Sequence, residues 1–480
     1  MSSEAKKLLD EVEDFCRKKE LFDGYKVIVA AVSGGGDSVF MLWALRRLAR
    51  KFGFMLRAVH INHMIRGDDA NQDELFVRKL CRTWKIPLDV FTIDVPKKAE
   101  TLRLGIEEAA RLVRREIFEE QAYKYGALVA LAHTADDQVE TFVFNLLRGS
   151  GIRGLAGMKV RTGVVIRPIM VLWREDIRRA LIKLEIPWRE DYSNWDMRYT
   201  RNRIRHRLIP FIIENFGKDS VKHIFRATEM LDFTRRALER AFSRYINEAL
   251  LGEACGVMAF KASLALSDEF TFGEVLRQSL PRLGVGLKGF SIERVSHVFW
   301  RIISSKREYP IYGGAFAMRE GNCLFIAKTK VYQLKTAEVP IGGFADLGCI
   351  GRVSANTIPL PDEPKSGNPL VATIAYDGSP IYVAPHTPGL LFHPLGGSTM
   401  KVSSFVKSRG VPLIFRRAVP LVFIGERLAW VAGVEIAEPF KLTSRTKNVV
   451  KLEWNGLFPE LFLKALTEAK KEFNPYKSIG

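Results

Sequence analysis

Continuous apolar runs alternate with amphipathic stretches along the first 210 or so residues, and this alternation restricts the fold more than any other feature. "YKVIVAAVS" (25–33), "FMLRAVHIN" (54–62), "LDVFTID" (88–94) and "ALVALAH" (127–133) are too short for helices. The first reads as apolar on both sides, as a strand covered on both faces must be. Between them lie "SVFMLWALRRLARKF", "NQDELFVRKLCRTW" and "GIEEAARLVRREIFEEQAYKYG", which carry helical spacing, the last ending at Gly126. "DDQVETFVFNLLRG", "VVIRPIM" and "WREDIRRALIKL" continue the alternation. A β-α-β-α order of this kind implies an α/β domain with a doubly wound parallel sheet.

The rhythm changes after Pro210. Residues 211–335 read as a mostly helical domain, with "VKHIFRATEMLDFTRRALERAFSRYINEAL" its clearest helix and "SKREYPIYGGAFAMREGNCLFIAK" a short hairpin. Residues 336–386 are rich in Gly, Pro and Ser and read as a linker with a few strands. Residues 387–480 carry short strands and turns and suggest a small α+β C-terminal domain. A chain of 480 residues accommodates this number of domains.

Composition narrows the partners. Lys and Arg total 73 against 54 Asp and Glu, a net charge of +19, which favours a polyanion such as nucleic acid. No stretch approaches the roughly 20 apolar residues of a membrane helix. The N-terminus "MSSEAKKLLDEVEDF" mixes charged and apolar residues, unlike a secretory signal, so a cytoplasmic location is expected. Five cysteines lie far apart with no C-x-x-C pair, so neither a zinc site nor a disulfide framework is expected.

Directly after the first apolar run comes "SGGGDS", Ser33, Gly34, Gly35, Gly36, Asp37 and Ser38. Glycines there let backbone N–H groups approach phosphate oxygens, and the following helix presents its positive end. Neither G-x-G-x-x-G nor G-x-x-x-x-G-K-[ST] is matched, and no lysine follows. At the end of the fourth run, "LAHTADDQVET" sets His133 beside Asp136, Asp137 and Glu140. In "GIEEAARLVRREIF", Glu107, Arg111 and Arg114 share one helical face. "REDYSNWDMRYTRNRIRHRLIP" (189–210) packs Arg198, Arg201, Arg203, Arg205 and Arg207 around Tyr199, as suits RNA phosphates and a stacking base.

The string S-G-G-x-D-S after a buried strand resembles the PP-loop of the ATP pyrophosphatases. With "HINHMIRG" (60–67), "GIEEAAR", "AHTADDQVET", "GSGIRGLAGM" (149–158), "IRP" (166–168) and "EDYSN…YTRNRIRHRLIP", the chain resembles the bacterial tRNA(Ile)-lysidine synthetase family. The likeness is dense over about 20–210 and returns loosely at 393–437. One departure is visible: "PGLLFHPLG" stands where the family's C-terminal domain usually has a Pro-Gly-Asp-Arg-Phe-like segment.

The resemblance implies a ligase that adenylates the C2 oxygen of the wobble cytidine of tRNA(Ile). Free L-lysine is then joined at C2, with release of AMP and pyrophosphate. It implies ATP and Mg2+ as cofactors and residues 1–210 as the adenylating domain. Ser33 to Ser38 would hold the pyrophosphate portion of ATP, with Asp37 on the metal. Arg111 and Arg114 would serve the α-phosphate. Asp136, Asp137 and Glu140 would serve the lysine ammonium or the metal, and His133 would orient ATP or act as a base. Arg198, Arg201, Arg203 and Arg205 would contact tRNA, and the helical and C-terminal domains would bind it too. A homodimer is a further expectation. The alternatives are another PP-loop tRNA-modifying enzyme, thiolase-like, or a non-catalytic nucleotide-sensing RNA-binding protein.

Overall fold

The computed structural model describes residues 3–65, 67–190, 197, 199–287, 290–305, 308–328, 334–361 and 367–474. The chain divides into two compact units, Met1–Leu238 and Glu239–Gly480.

The first unit is built on a sheet of β1 (Val27–Ala31), β2 (Met55–Asn62), β3 (Leu88–Thr92), β4 (Leu128–Ala130), β5 (Arg161–Thr162) and β6 (Val165–Ile166). Its spatial order is β3-β2-β1-β4-β6-β5. All neighbours are parallel except the edge pair β5–β6. The expected doubly wound parallel sheet is therefore present. β1 explains why its run is apolar throughout: Ile28 and Ala30 enter one core, Val29 the opposite one. The first core is shared with α1 (Ser3–Lys18), α2 (Gly36–Phe52) and α3 (Asp68–Trp84). The second takes residues from α4 (Val95–Leu102) and α5 (Ile106–Tyr125).

Strand order places the ligand edge. The chain steps from β1 outward to β3, then returns to place β4 on the other side of β1. The segments leaving β1 and β4 diverge there, and such a switch point opens a crevice at the carboxyl edge. α6 (Ala135–Leu147) follows β4. α7 (Ile152–Leu155), α8 (Arg174–Lys183), α9 (Thr200–Arg203), a π turn (Ile204–Leu208), α10 (Ile209–Phe216) and α11 (Asp219–Ala249) complete the order.

The second unit departs from the expected boundaries. Its helices Glu269–Arg282 and Ile292–Ser304 pack on a five-stranded antiparallel sheet that includes the expected hairpin, Phe316–Glu320 with Cys323–Ala327. Leu250–Ala254 and Val257–Lys261 form a second hairpin in that sheet, inside the stretch read as helical. Its turn residues Cys255 and Gly256 have φ of 51° and 71°, a tight-turn conformation that an X-Gly pair between apolar runs can announce. The 336–386 stretch, read as a linker with a few strands, supplies strands Gly343–Asp346, Arg352–Ile358, Val371–Ala375 and Ile381–Ala384 to two further antiparallel sheets. Residues 362–366 of that stretch lie outside the described residues. These sheets and the helix Leu457–Ala469 enclose Trp430, Trp454, Phe415, Phe458 and Phe462, all fully or almost fully buried.

The cysteine expectation is corrected. Cys255, at the tip of the second hairpin, is joined to Cys349 in the short turn Gly348–Ile350, with Cα atoms 5.4 Å apart. The two are 94 residues apart in sequence and only the fold brings them together. Cys16, Cys81 and Cys323 are free and buried.

Candidate active site

The loop leaving β1 closes on the hydroxyl of Ser38. That oxygen accepts from the backbone N–H groups of Ser33 and Gly34, each at 3.2 Å, and donates to the Gly35 carbonyl at 2.8 Å. The Ser33 hydroxyl lies 3.2 Å from it and takes the Gly35 N–H at 3.4 Å. Gly34 has φ +98°, a conformation that side-chain-bearing residues rarely adopt. α2 begins at Gly36 without a side-chain cap. These three N–H groups are spent within the loop, and the uncapped start of α2 beside the two serine hydroxyls is the part suited to an anion.

Across the crevice, the first turn of α6 presents its acids. Asp137 completes a capping box by accepting from the Thr134 N–H and hydroxyl at 2.9 and 3.0 Å. Arg174, at the first position of α8, ties the two sides together. Its Nε meets Asp37 Oδ2 at 3.2 Å, Nη2 meets Asp137 Oδ1 at 2.5 Å, and Nη1 meets Glu140 Oε1 at 2.8 Å. Its backbone N–H donates to Asp136 Oδ2 at 2.9 Å. Arg205 grips Glu140 with two donors, Nε to Oε1 at 2.7 Å and Nη2 to Oε2 at 2.9 Å. Arg201 Nε reaches Glu140 Oε2 at 3.2 Å.

Charge is unevenly balanced within this cluster. Burial opposes the charge of Asp137, but Arg174, Arg201 and the Thr134 N–H outweigh it and hold the carboxyl well below its usual range. Burial likewise opposes ionisation of Glu140, and Arg174 and Arg205 overcome it. For Asp37 burial wins: its carboxyl is pushed up to about 6 despite Arg174, with Asp137 adding repulsion. Asp136 is raised too, again chiefly by burial. Two acids are thus neutralised by protein cations, and two remain short of positive charge.

His133 is held neutral. Burial pushes its imidazole down to about 4, and Arg167, Arg201 and Arg114 reinforce the shift. Its Nδ1 accepts from Arg167 Nε at 3.0 Å, which leaves Nε2 as the N–H donor. Arg114 sits at an exposed position, and partial desolvation and then its neighbours Arg111 and Arg201 oppose its charge. Cations from α5, α9 and the "IRP" segment thus converge near one imidazole, as an anionic group there would require. Arg111 and Glu107 are exposed.

Other sequence-derived residues do different work. His60 is buried and donates through Nδ1 to the Val32 carbonyl at 2.7 Å, bracing the strand end that feeds the loop. Asn62 bonds Asn71, Glu74 and the Met64 N–H and shapes the turn after β2. Gln138 clamps the "GSGIRGLAGM" segment through Ala156 and both backbone groups of Met158. Gly157, with φ +68°, passes so close that an added Cβ would lie 2.7 Å from that amide. Arg203 is exposed and bonded to the Thr200 hydroxyl at 2.9 Å. Arg201 and Arg205, expected on tRNA, spend guanidinium donors on the α6 carboxylates here. Arg66 and Arg198 lie outside the described residues.

Arg174 is the site residue that the sequence reading missed. Its signal was present: a cation in the first turn of a helix sits at the wrong end of the dipole and implies acids elsewhere. In the second unit, the departing "PGLLFHPLG" segment lines an open cavity of about 620 Å³ with Arg427 and Phe440, in a different unit from the crevice.

A PP-loop domain family matches residues 3–212, and the TilS substrate C-terminal domain family matches residues 381–454. The chain is 32% identical over 466 residues to a tRNA(Ile)-lysidine synthase of Caldanaerobacter subterraneus subsp. tengcongensis, covering 93% of this chain and 97% of that one. It is 28% identical to the enzyme of that name in Clostridium perfringens, over 93% of this chain and 99% of the other. Another of that name, in Dehalococcoides mccartyi, is also 28% identical, over 94% and 100%. With the PP-loop at the switch point of its sheet and relatives matching end to end, the chain is an enzyme of the tRNA(Ile)-lysidine synthase family.

Proposed function

We propose that the chain adenylates the C2 oxygen of the wobble cytidine of tRNA(Ile) and joins free L-lysine there, releasing AMP and pyrophosphate. The observation that carries this reading is the bridge that Arg174 makes from Asp37, in the serine–glycine loop, to the acids at the start of α6. The loop from Ser33 to Ser38 takes the β- and γ-phosphates. The attacking cytidine oxygen displaces pyrophosphate from the α-phosphate, where Arg114 and the His133 Nε2–H face developing charge. A pyrimidine oxygen is a poor leaving group, and as an adenylate it departs readily. The lysine ε-amine then forms the bond to C2, AMP leaves with the oxygen, and the amine proton passes to a carboxylate.

The donor set fits magnesium. Among the described residues no three acidic, His or Cys side chains form a complete protein cage, and magnesium characteristically combines one or two carboxylates with substrate phosphate. Asp37, half-buried and raised toward 6, gains most from such a cation. Magnesium held there would neutralise phosphate charge. Asp37 and Asp136 each meet Arg174 through a single oxygen.

Purified protein given ATP, lysine and an unmodified isoleucine tRNA should release AMP in proportion to a lysine adduct on cytidine, read by nucleoside mass analysis. AMP release without lysine, or a sulfur-bearing product with a sulfur donor, would transfer the reading to a different PP-loop chemistry.

A further inference from the structure

The carboxylates most expected to meet the lysine ammonium have no room for it. Glu140 Oε1 accepts from Arg174 and Arg205, and Oε2 from Arg201 and Arg205. Asp137 Oδ2 accepts twice from Thr134, and Oδ1 from Arg174 and Arg205. A carboxylate offers about four lone-pair sites, so both are saturated. An ammonium can join them only if a guanidinium leaves.

The three arginines differ in how easily they leave. Arg174 is anchored by its own backbone N–H on Asp136 and by contacts to both sides of the crevice. Arg201 and Arg205 sit on a different element, α9 and the π turn. A π turn is a wide, rare insertion in a helix, frequent at functional sites. The Arg201 side chain is 42% exposed and that of Arg205 23%. Arg201 Nη2 has no hydrogen-bond partner, only Asp137 at 3.5 Å, so its fork is half used. Exposed Arg203 and Arg207 and half-exposed Tyr199 flank them, a surface that attracts a polyanion.

Resting on the proposed lysine and tRNA reading, we propose that Arg201 and Arg205 are a latch on Glu140 and Asp137. The tRNA backbone releases it by exchanging phosphate for carboxylate, so that lysine binds at full strength only after tRNA. The exchange removes two positive charges and brings in one, which leaves two cations, the ammonium and the retained Arg174, facing the two carboxylates of Glu140 and Asp137. Premature lysine occupancy in the absence of a nucleoside acceptor is thereby suppressed.

Calorimetric titration of the full chain with L-lysine, without ATP, tests this with and without saturating unmodified isoleucine tRNA. The wild type should gain about tenfold in lysine affinity when tRNA is present, within the ordinary range of coupling between sites. The Arg201→Ala/Arg205→Ala protein should bind lysine without tRNA as tightly as the wild type does with it. Arg201→Ala alone, at the more exposed position, should fall between and guards against misfolding of the pair. Equal wild-type affinity with and without tRNA, or no gain in either variant, overturns the latch. Wild-type AMP release that depends on lysine keeps the underlying reading intact in that case. Its absence removes both.

Discussion

The first unit buries charge, and the second buries rings. At the crevice, Asp137 and Glu140 are withdrawn from water among partly buried arginines, at a desolvation cost that ion pairing offsets. In the second unit Trp454 is fully buried, tilted against Phe458 and Phe462, with its indole N–H donating to the Ile350 carbonyl at 3.0 Å. The two arrangements should respond to substitution in opposite ways. A charged crevice holds function at the expense of stability, whereas an aromatic core does the reverse.

The largest expected effect is on activity at Asp37. Asp37→Asn keeps the shape but removes the charge, and AMP release should drop about a thousandfold, roughly 4 kcal/mol in barrier. Its unfolding midpoint should stay level or rise, because a half-buried, under-compensated carboxylate has been relieved. The pH dependence has the same logic. The folded pKa of about 6 lies above the usual carboxylate value, so the folded state holds this proton more tightly than the unfolded chain. The group's contribution to stability therefore falls as pH rises through 6, while kcat/KM for ATP climbs over the same interval as the anion forms. A midpoint lowered by several degrees in Asp37→Asn, with activity intact, would erase the contrast.

Trp454→Ala should do the converse. Loss of a fully buried indole typically costs about 3–5 kcal/mol. Urea unfolding should show that loss in the transition of the second unit, with the first unit's transition unmoved. The Cys255–Cys349 bridge sharpens the same contrast with a smaller effect. Native protein titrated with a thiol reagent under denaturing, non-reducing conditions should show three thiols, and five after reduction. Cys349→Ser should cost about 2–4 kcal/mol in the second unit alone, as expected for a bridge closing a long loop.

How far each region could be read from sequence follows from the range of its interactions. β1 and the serine–glycine loop were legible because a strand buried on both faces, a glycine turn and a helix are consecutive in the chain. The acids of α6 were legible for the same reason. Arg174 was not, because its partner Asp37 is 137 residues away and only the sheet order brings α2 and α8 together. The saturation of Glu140 was hidden likewise: Arg201 and Arg205 looked like a free basic run until the π turn aimed them inward. In the second unit, strands shorter than the helices around them and broken by Gly and Pro read as helix or linker. Pairing partners distant in sequence, such as Arg352–Ile358 with Val449–Asn455, make them strands.

The smallest effect decides how the exposed and inward arginines of one segment differ. Arg203 is exposed and donates to Thr200, and among the described residues no bond joins it to the crevice acids. If the segment meets a phosphate backbone, Arg203→Ala should weaken tRNA binding a fewfold and reduce the slope of log affinity against log salt by about one, since each neutralised phosphate contributes roughly that much. Lysine affinity without tRNA should not move. Arg205→Ala should change both quantities, because its guanidinium divides its work between Glu140 and the polyanion. A double-variant titration separates these roles: the Arg203 effect on tRNA should add to that of Arg205, while the lysine effect should belong to Arg205 alone. If Arg203→Ala altered lysine affinity as strongly as Arg205→Ala, the segment would be acting as one diffuse field of charge. The distinction between a surface that meets RNA and a cluster that guards the carboxylates would then collapse.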